Sequence, residues 1–294
     1  MTTATRDKTT HTLQVPGAML TYDVWPGTST DQPPLLLIGS PMGAGGFTTL
    51  AGHFPDRTVV TYDPRNNGER STADDPATPI TAQVQGDDVH RVIEAVGGGP
   101  VDLFGSSGGA IVALDLVARY PGDVRTLVAH EPPLASMVPD REHALAANKA
   151  IHDAYMAGGF GQGMAKFMQV VMHRGPFTPE FLAAPAPDPA MFGMPTDDDG
   201  KRTDLMLGHS VRWLTSYEPD FDAIKRSPAR VVIGVGAASH DELASRGGRE
   251  VARRLGADAT EFPGDHGGFL GGEYGQTGEP DAFAAKLREV LATA

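Results

Sequence analysis

Short runs of apolar residues alternate along the chain with longer stretches in which apolar residues recur at helical spacing. This order predicts strands and helices in turn, and it is typical of an α/β fold with a mainly parallel sheet and helices on both faces. The predicted strands cover residues 19–25, 35–38, 58–63, 101–104, 124–130, 229–236 and 259–262. The predicted helices cover residues 81–96, 109–120, roughly 241–255 and 281–292.

Residues 133–220 depart from this alternation. Two or three helices and no strand are predicted there, with a proline-rich acidic linker over 184–200. We interpret the segment as a helical insertion, a cap or lid, between the two parts of an α/β core, 1–132 and 221–294. Eight methionines lie in it, and they either fill helix cores or form an adaptable apolar wall over a binding cleft. They are Met137, Met156, Met164, Met168, Met172, Met191, Met194 and Met206.

The chain is acidic, with a formal charge of −13 from 24 basic and 37 acidic residues. This charge argues against nucleic acid or an anionic membrane as a partner, because both are bound through clustered Lys and Arg. Cysteine is absent, so disulfides, a thiolate nucleophile and cysteine-based metal sites are excluded. The first residues lack the apolar core of a secretory signal, and no apolar run approaches the roughly 18 residues of a membrane span. We therefore expect a cytoplasmic protein.

One strand-to-helix junction carries a candidate nucleophile. The stretch DLFGSSGGAIVAL passes from a buried strand into a helix and places glycine two residues before and two residues after Ser107, at Gly105 and Gly109. A serine on such a sharp turn takes strained backbone angles, and glycine removes the collisions of the flanking side chains. Ser106 lacks this arrangement, so we interpret it as a small residue that fits the turn. The free N–H groups of the following helix point to where an oxyanion would form.

A serine hydroxyl is a poor nucleophile unless a base takes its proton. His266 is the candidate base, because it lies in the glycine-rich loop GDHGGF that follows the last predicted strand. This position fits the order nucleophile, acid, histidine that such a serine turn requires. Other histidines have no comparable setting, and we interpret them as surface or structural residues. They are His11, His53, His90, His143, His152, His173 and His209.

Taken together, these segments resemble the α/β-hydrolase superfamily. The matching pieces stand in the usual order, as LLLIGSPMG, TYDPRNNGERS, GSSGG, VRTLVAHEPPL, ARVVIGVG and GDHGGF. The resemblance covers most of the chain except 133–220, and it implies the α/β-hydrolase fold with a cap. It also implies a serine nucleophile and so points to esterases, lactonases, acyl transferases and C–C hydrolases. Epoxide hydrolases and haloalkane dehalogenases of the superfamily carry aspartate at this turn and are disfavoured.

The resemblance also implies an oxyanion hole. The backbone N–H groups of Ser40 and Gly108 would form it, with Met42 or Gly43 as an alternative to Ser40. Two departures from the family pattern lie near this loop. Ile38 stands where the family usually has histidine, and an Asn-Asn pair replaces the first glycine of the Arg-Gly-x-Gly segment. Because the donors are backbone groups, the first change does not remove the hole, and we interpret the second as loop variation.

A third departure concerns the acid behind His266. Ser239 stands where the family usually places an aspartate, and a hydroxyl cannot stabilise an imidazolium as a carboxylate does. Glu131 is the preferred replacement, because it directly follows a buried strand and precedes two prolines that fix the backbone. Asp241, two residues after Ser239, is the alternative. A chain with neither acid in place is the third possibility.

Three functions are consistent with these residues. The first is a serine hydrolase that cleaves a small-to-medium apolar carboxylic ester or lactone through an acyl-enzyme. The second is an acyltransferase, cyclase or perhydrolase that uses the same site in a biosynthetic pathway. The third is a non-catalytic ligand-binding protein on the same scaffold. No nucleotide-binding loop and no metal-ligand spacing is evident, so we expect neither a cofactor nor a metal.

Overall fold

A nine-stranded sheet runs through the part of the chain that the computed structural model describes, residues 7–65, 67, 70–75 and 78–293. Its strands are β1 (Thr9–Val15), β2 (Ala18–Trp25), β3 (Leu35–Ile38), β4 (Val59–Asp63), β5 (Thr72–Ala73), β6 (Val101–Ser106), β7 (Val124–His130), β8 (Arg230–Gly236) and β9 (Thr260–Phe262). Their order in the sheet is β1-β2-β4-β3-β6-β7-β8-β9, and β5 pairs with β2. Every pair that includes β2 is antiparallel, and all the others are parallel.

Helices pack on both faces of this sheet because its central strands are apolar on both sides. The helices are α1 (Thr48–Gly52), α2 (Ala82–Ala95), α3 (Gly108–Arg119), α4 (Arg141–Val171), α5 (Pro179–Ala183), α6 (Leu205–His209), α7 (Val211–Thr215), α8 (Phe221–Arg226), α9 (Leu243–Leu255) and α10 (Pro280–Ala292). In β3, Leu36 and Ile38 join the core that includes α2 and α3, whereas Leu35 and Leu37 join the core on the α1 and α10 side. The predicted fold class, a mainly parallel sheet covered on both faces, is confirmed.

The predicted strands and the core helices agree with the structure to within two residues at most ends, but two strands are missing from the prediction. β1 and β5 are edge elements, and β1 is exposed along most of its length, so its sequence lacks the apolar run that marked the others. A two-residue turn at Pro16 and Gly17 joins β1 to β2, and Gly17 has a φ of 75° there. Among the described helices, none is long and apolar enough to cross a bilayer.

The segment between β7 and β8 is helical, as predicted. Its first two predicted helices form the single run α4, which Gly159 interrupts with a φ of 78° and a ψ of −169°. The third predicted helix is divided into α6 and α7 at Ser210. Residues 133–220 are all described and contain no strand, only an isolated bridge from Arg174 to a residue beyond the segment. The division of the chain into a cap and two core parts stays a prediction.

A buried ion pair joins three central strands at the end of the sheet where β6 begins. Asp102 is fully buried in β6 and accepts hydrogen bonds from Arg57 Nη2 at 2.6 Å and from Arg125 Nε at 2.8 Å. Arg57 directly precedes the β4 region and is 2% exposed, whereas Arg125 belongs to β7. The pair therefore fixes the start of the strand whose other end carries Ser107.

We expect Asp102→Ala to lower the free energy of unfolding by about 3 to 5 kcal/mol, because it leaves the buried Arg57 guanidinium without its carboxylate. Denaturant titration followed by circular dichroism measures the change. Lys149→Ala is the matched control, since it breaks an ion pair with Asp153 in which both side chains are more than half exposed, and it should cost less than about 1 kcal/mol. Equal losses for the two variants would contradict the role of the buried pair.

Candidate active site

The turn between β6 and α3 holds Ser107 in an unusual backbone conformation. Its φ is 57° and its ψ is −125°, values that a residue with a side chain rarely adopts. A residue in such a conformation destabilises the fold by about 1 to 3 kcal/mol, and the conformation persists only where the surrounding structure holds it. The Ser107 N–H donates to the carbonyl oxygen of His130 at 2.9 Å, which ties the turn to the end of β7.

Three glycines around this turn allow the chain to pack closely. A Cβ on Gly105 would lie 2.7 Å from the carbonyl oxygen of Gly109, inside the distance that real side chains keep. A Cβ on Gly109 would collide with the carbonyl of Ile38 at the end of β3. A Cβ on Gly108 would collide with the carbonyl of Ser40. The glycines thus let α3 start directly against β3 and its following loop.

Two cavities meet at Ser107. The inner cavity has a volume of about 340 Å³ and is lined largely by apolar side chains of α4, α7 and the start of α3. The outer cavity has a volume of about 580 Å³ and includes exposed residues such as Tyr274. Ser107 and His266 line both cavities, so a bound molecule can reach them from either side. Of the insertion's methionines, Met168, Met172 and Met206 line the inner cavity.

The residues predicted for the oxyanion hole lie beside Ser107. Ser40 and Gly108 pack against each other, and both line the inner cavity. Gly108 is the first residue of α3, where the helix leaves N–H groups without an intrahelical partner. The alternative residues are placed differently: Met42 lines only the outer cavity, and Gly43 packs against the Asp63 carboxylate.

His266 is brought to Glu131, the preferred acid. The distance from His266 Nδ1 to Glu131 Oε2 is 2.6 Å. Because a carboxylate only accepts, Nδ1 carries the proton that is donated and Nε2 faces away from Glu131. Among the described contacts, none is a hydrogen bond between Ser107 Oγ and His266, although the two side chains share both cavities. Bonds of this kind are often long in the absence of a substrate.

Glu131 itself is held firmly at the end of β7. Its side chain is fully buried, its φ is 51°, and its Oε1 accepts a hydrogen bond from Gly236 N–H at 2.8 Å. Burial alone would raise the pKa of Glu131, but the hydrogen bond and the charge of His266 outweigh it and lower that pKa to about 2. Burial alone would lower the pKa of His266, and Glu131 reverses this and raises it. The pair therefore keeps a carboxylate behind a histidine that accepts a proton readily.

The residues after β8, where the family usually has its aspartate, do not supply the carboxylate that contacts His266. Ser239 is fully buried and lies 2.6 Å from where a Cβ on Gly236 would be, and its hydroxyl helps to lower the pKa of Glu131. β7 and β8 are parallel neighbours, so the residues that follow them come to the same edge of the sheet. Asp241 is exposed, and its carbonyl oxygen accepts from Gly175 N–H on the helical segment. The structure therefore places Glu131, and not Asp241, against His266.

His130 is a neighbour of the site that the sequence did not single out. It is fully buried between aromatic rings, with its centroid 5.2 Å from that of Phe283 and 5.7 Å from that of Phe262. Within the described residues its two ring nitrogens have no hydrogen-bond partner, and burial lowers its pKa to about 4. His130 is thus neutral at ordinary pH, and its carbonyl oxygen, not its ring, supports Ser107.

Glu242 is a second residue that sequence reasoning missed. It lines both cavities, and its side chain is 22% exposed. Burial, and then the negative charge of Glu131, raise the pKa of Glu242, while Arg174 at 3.6 Å opposes this. A carboxylate next to the Asp241 position was visible in the sequence, but only the turn after β8 shows that the second of the two acids faces the cavity.

Part of the TYDPRNNGERS segment can also be placed. Asn67 lines the outer cavity and donates through Nδ2 to the Pro41 carbonyl oxygen at 3.1 Å. Arg65 is buried and paired with Asp88 at 2.6 Å. Asn66, Gly68 and Glu69, which include the rest of the predicted loop variation, lie outside the described residues. Over the described ranges, no group of three or more His, Asp or Glu side chains is arranged to hold a metal ion.

This geometry agrees with what comparison with known proteins finds. A model of the alpha/beta hydrolase family matches residues 15–286. The chain belongs to the alpha/beta hydrolase family. This alpha/beta hydrolase is 30% identical over 273 residues to the uncharacterized hydrolase YraK of Bacillus subtilis (strain 168), and the match covers 88% of this chain and 89% of YraK.

Solved structures show the same fold for this alpha/beta hydrolase. A hydrolase from Pseudomonas aeruginosa PA01 aligns with a TM-score of 0.67 at 21% identity, over 97% of this chain and 98% of that one. The esterase EaEST from Exiguobacterium antarcticum aligns with a TM-score of 0.65 at 18% identity, over 95% of this chain and 97% of that one. At these identities the likeness establishes the fold of this chain, and that fold positions the site.

We expect Glu131→Gln to lower the pKa of His266. The substitution removes the negative charge that outweighs burial, so the histidine in this alpha/beta hydrolase should lose its proton at a lower pH than in the wild type. NMR titration of the His266 ring measures the change. Asp241→Asn is the control and should leave the titration of His266 where it is; a fall in Asp241→Asn equal to that in Glu131→Gln would contradict the assignment of the acid.

Proposed function

We propose that this chain is a serine hydrolase that cleaves a small-to-medium apolar carboxylic ester or lactone through an acyl-enzyme. The observation that carries the proposal is the hydrogen bond between His266 and the buried Glu131, beside a serine on a strained turn at the junction of two cavities. A hydrolase of the same family in Bacillus subtilis, 30% identical, is consistent with it.

In the proposed mechanism, Ser107 Oγ attacks the ester carbonyl while His266 Nε2 takes its proton. Glu131 holds the ring through Nδ1–H and stabilises the imidazolium that forms. The N–H groups of Ser40 and Gly108 stabilise the oxyanion. His266 then gives the proton to the leaving alcohol, and the acyl-enzyme forms. Water activated by His266 attacks the acyl carbonyl, Ser107 recovers its proton, and the carboxylic acid leaves.

The walls of the inner cavity favour an apolar acyl group of limited size. The cavity has a volume of about 340 Å³, and its apolar lining includes Ile111, Phe167, Met168, Val211 and Leu214. No Lys or Arg is among its lining residues, so it offers no cation to a charged acyl chain. Burying an uncompensated charge is costly, and neutral substrates are therefore favoured.

Acyl transfer, cyclisation and perhydrolysis remain the alternative uses of the same residues. Each requires that water be excluded from the acyl-enzyme. The side chain of His266 is 40% exposed, so water can reach the base. This favours hydrolysis. The non-catalytic alternative rested on the absence of an acid at position 239, and the 2.6 Å contact of Glu131 with His266 removes that support.

We expect Ser107→Ala to abolish labelling by a fluorophosphonate probe and to lower kcat/KM for a nitrophenyl ester by at least about 10³-fold, because the nucleophile is lost. Gel fluorescence and ester assays measure the two effects. Ser106→Ala is the matched control, since Ser106 is the adjacent buried serine, and it should still be labelled. Equal labelling of Ser107→Ala and wild type would sink the proposal.

We expect the free carboxylic acid to be the main product when an ester is turned over in water that contains methanol or hydrogen peroxide. The exposed His266 should activate water, which is present in large excess. Chromatographic analysis of the products gives the ratio of acid to methyl ester or peracid. A product mixture dominated by the methyl ester or the peracid would point to the alternative function.

A further inference from the structure

The inner cavity has a polar region that the proposed mechanism does not use. Five of its polar residues, Ser107 among them, are shared with the outer cavity. Three others line the inner cavity alone, and all three belong to the helical segment: Asn148, Ser210 and Thr215. These three buried residues line the part of the inner cavity that is not shared with the outer cavity, which we call its inner end. The other residues that line this inner end are apolar, so three polar residues there are unexpected.

Asn148 presents an oxygen to this inner end. The residue is 3% exposed, and its Nδ2 donates to the Ala144 carbonyl oxygen at 2.9 Å. A carbonyl oxygen only accepts, so the amide nitrogen must face Ala144 with one of its two N–H groups, and Oδ1 is left to accept from a molecule in the cavity. In the described part of the chain, no donor bonds Asn148 Oδ1. Buried polar oxygens normally have a partner, and here a bound molecule can supply it.

Thr215 adds a second acceptor of the same kind. It is 5% exposed, and its hydroxyl proton is donated to the Val211 carbonyl oxygen at 2.9 Å. The lone pairs of Oγ1 are what this side chain can still offer. Asn148 Oδ1 and Thr215 Oγ1 therefore both offer acceptors to the inner end, beside the second N–H of the Asn148 amide. A hydrogen-bond donor, such as a hydroxyl or an amide N–H, complements the two acceptors.

The outer cavity suits the other half of the ester. It includes the exposed aromatic residues Tyr274 and Phe160, whereas the inner cavity is lined mostly by buried or half-buried residues such as Ile111 and Leu214, apart from the exposed Met172 and the shared Gln276. The alcohol must depart while the acyl group is still bonded to Ser107. The alcohol therefore belongs on the open side, and the acyl chain belongs in the inner cavity.

We propose that Asn148 is a specificity-determining residue that selects acyl groups carrying a neutral hydrogen-bond donor, a hydroxyl or an amide N–H, beyond an apolar chain. This inference rests on the proposed serine hydrolase function and names the substrate class of the same site. An acyl chain without the donor leaves Asn148 Oδ1 desolvated and unpaired, whereas a donor at the right distance satisfies it.

The test uses matched pairs of methyl esters of increasing chain length, one member ending in a hydroxyl and the other in a methyl group. Release of acid is followed by pH-stat, so neither ester needs a chromophore. At the chain length that reaches Asn148, kcat/KM for the hydroxyl ester should exceed that for the methyl-ended ester by about tenfold, the usual yield of one neutral hydrogen bond. A ratio near one at every chain length would overturn the inference.

Two variants test whether the preference for the hydroxyl ester comes from Asn148. Asn148→Leu should bring the ratio close to one, because it keeps the volume and removes the acceptor; Asn148→Ala should do the same if the leucine variant does not fold. Met168→Leu changes an apolar wall of the same cavity, and it should keep the ratio of the wild type. A wild-type ratio retained in both Asn148 variants would overturn the inference.

Fluorophosphonate labelling distinguishes this inference from the proposed function. If Ser107 is labelled and both esters of every pair are cleaved equally, the inference fails and the hydrolase function stands. If Ser107 is not labelled and no ester is cleaved, the proposed function fails, and the inference fails with it.

Discussion

The buried carboxylate of Glu131 is the interaction on which the site depends. A carboxylate withdrawn from water is costly unless each oxygen is satisfied. Here one oxygen accepts from Gly236 at the end of β8, and the other accepts from His266 in the loop after β9. The lowered pKa of Glu131 indicates that its surroundings stabilise the charged carboxylate by more than burial destabilises it. A single charged group thus joins the ends of three neighbouring strands.

The last residue of β7 and the one after it support both Ser107 and His266. The carbonyl oxygen of His130 accepts from the Ser107 N–H and so stabilises a strained turn, while the next residue, Glu131, orients His266. Glu131 itself has a positive φ, and its own N–H donates to Gly234 in β8. The relative placement of Ser107 and His266 is therefore set by two consecutive residues at one strand end, and it does not depend on the loops alone.

The sequence predicted the sheet, its order of elements and the serine turn, because these leave local signals. Apolar runs mark buried strands, and glycine spacing marks a turn such as that of Ser107. β1 escaped prediction since an exposed edge strand needs no apolar run. The sequence also did not decide whether Glu131 or Asp241 contacts His266. That contact depends on which residue lies at the edge of the sheet beside the histidine, and this is set by the pairing of strands that are far apart in the sequence.

The residues missed in the cavity share another physical reason. Asn148 lies in a stretch that looks like an ordinary helix, and Glu242 lies at what looks like an ordinary helix start. What distinguishes these two residues is that they line a cavity. A helical pattern tells which residues share one side, but it does not tell whether that side meets a core or an empty space.

The position of Glu131 directly after β7 has a consequence for how related chains are recognised. A search that requires an aspartate after β8 would find Ser239 there and would miss the carboxylate that contacts His266. In the folded protein the buried Ser239 leaves room beside Gly236 for a carboxylate that arrives from the adjacent strand. In this chain a small residue after one strand is thus paired with a glutamate after the neighbouring strand, and a comparison of related chains has to consider the two positions together.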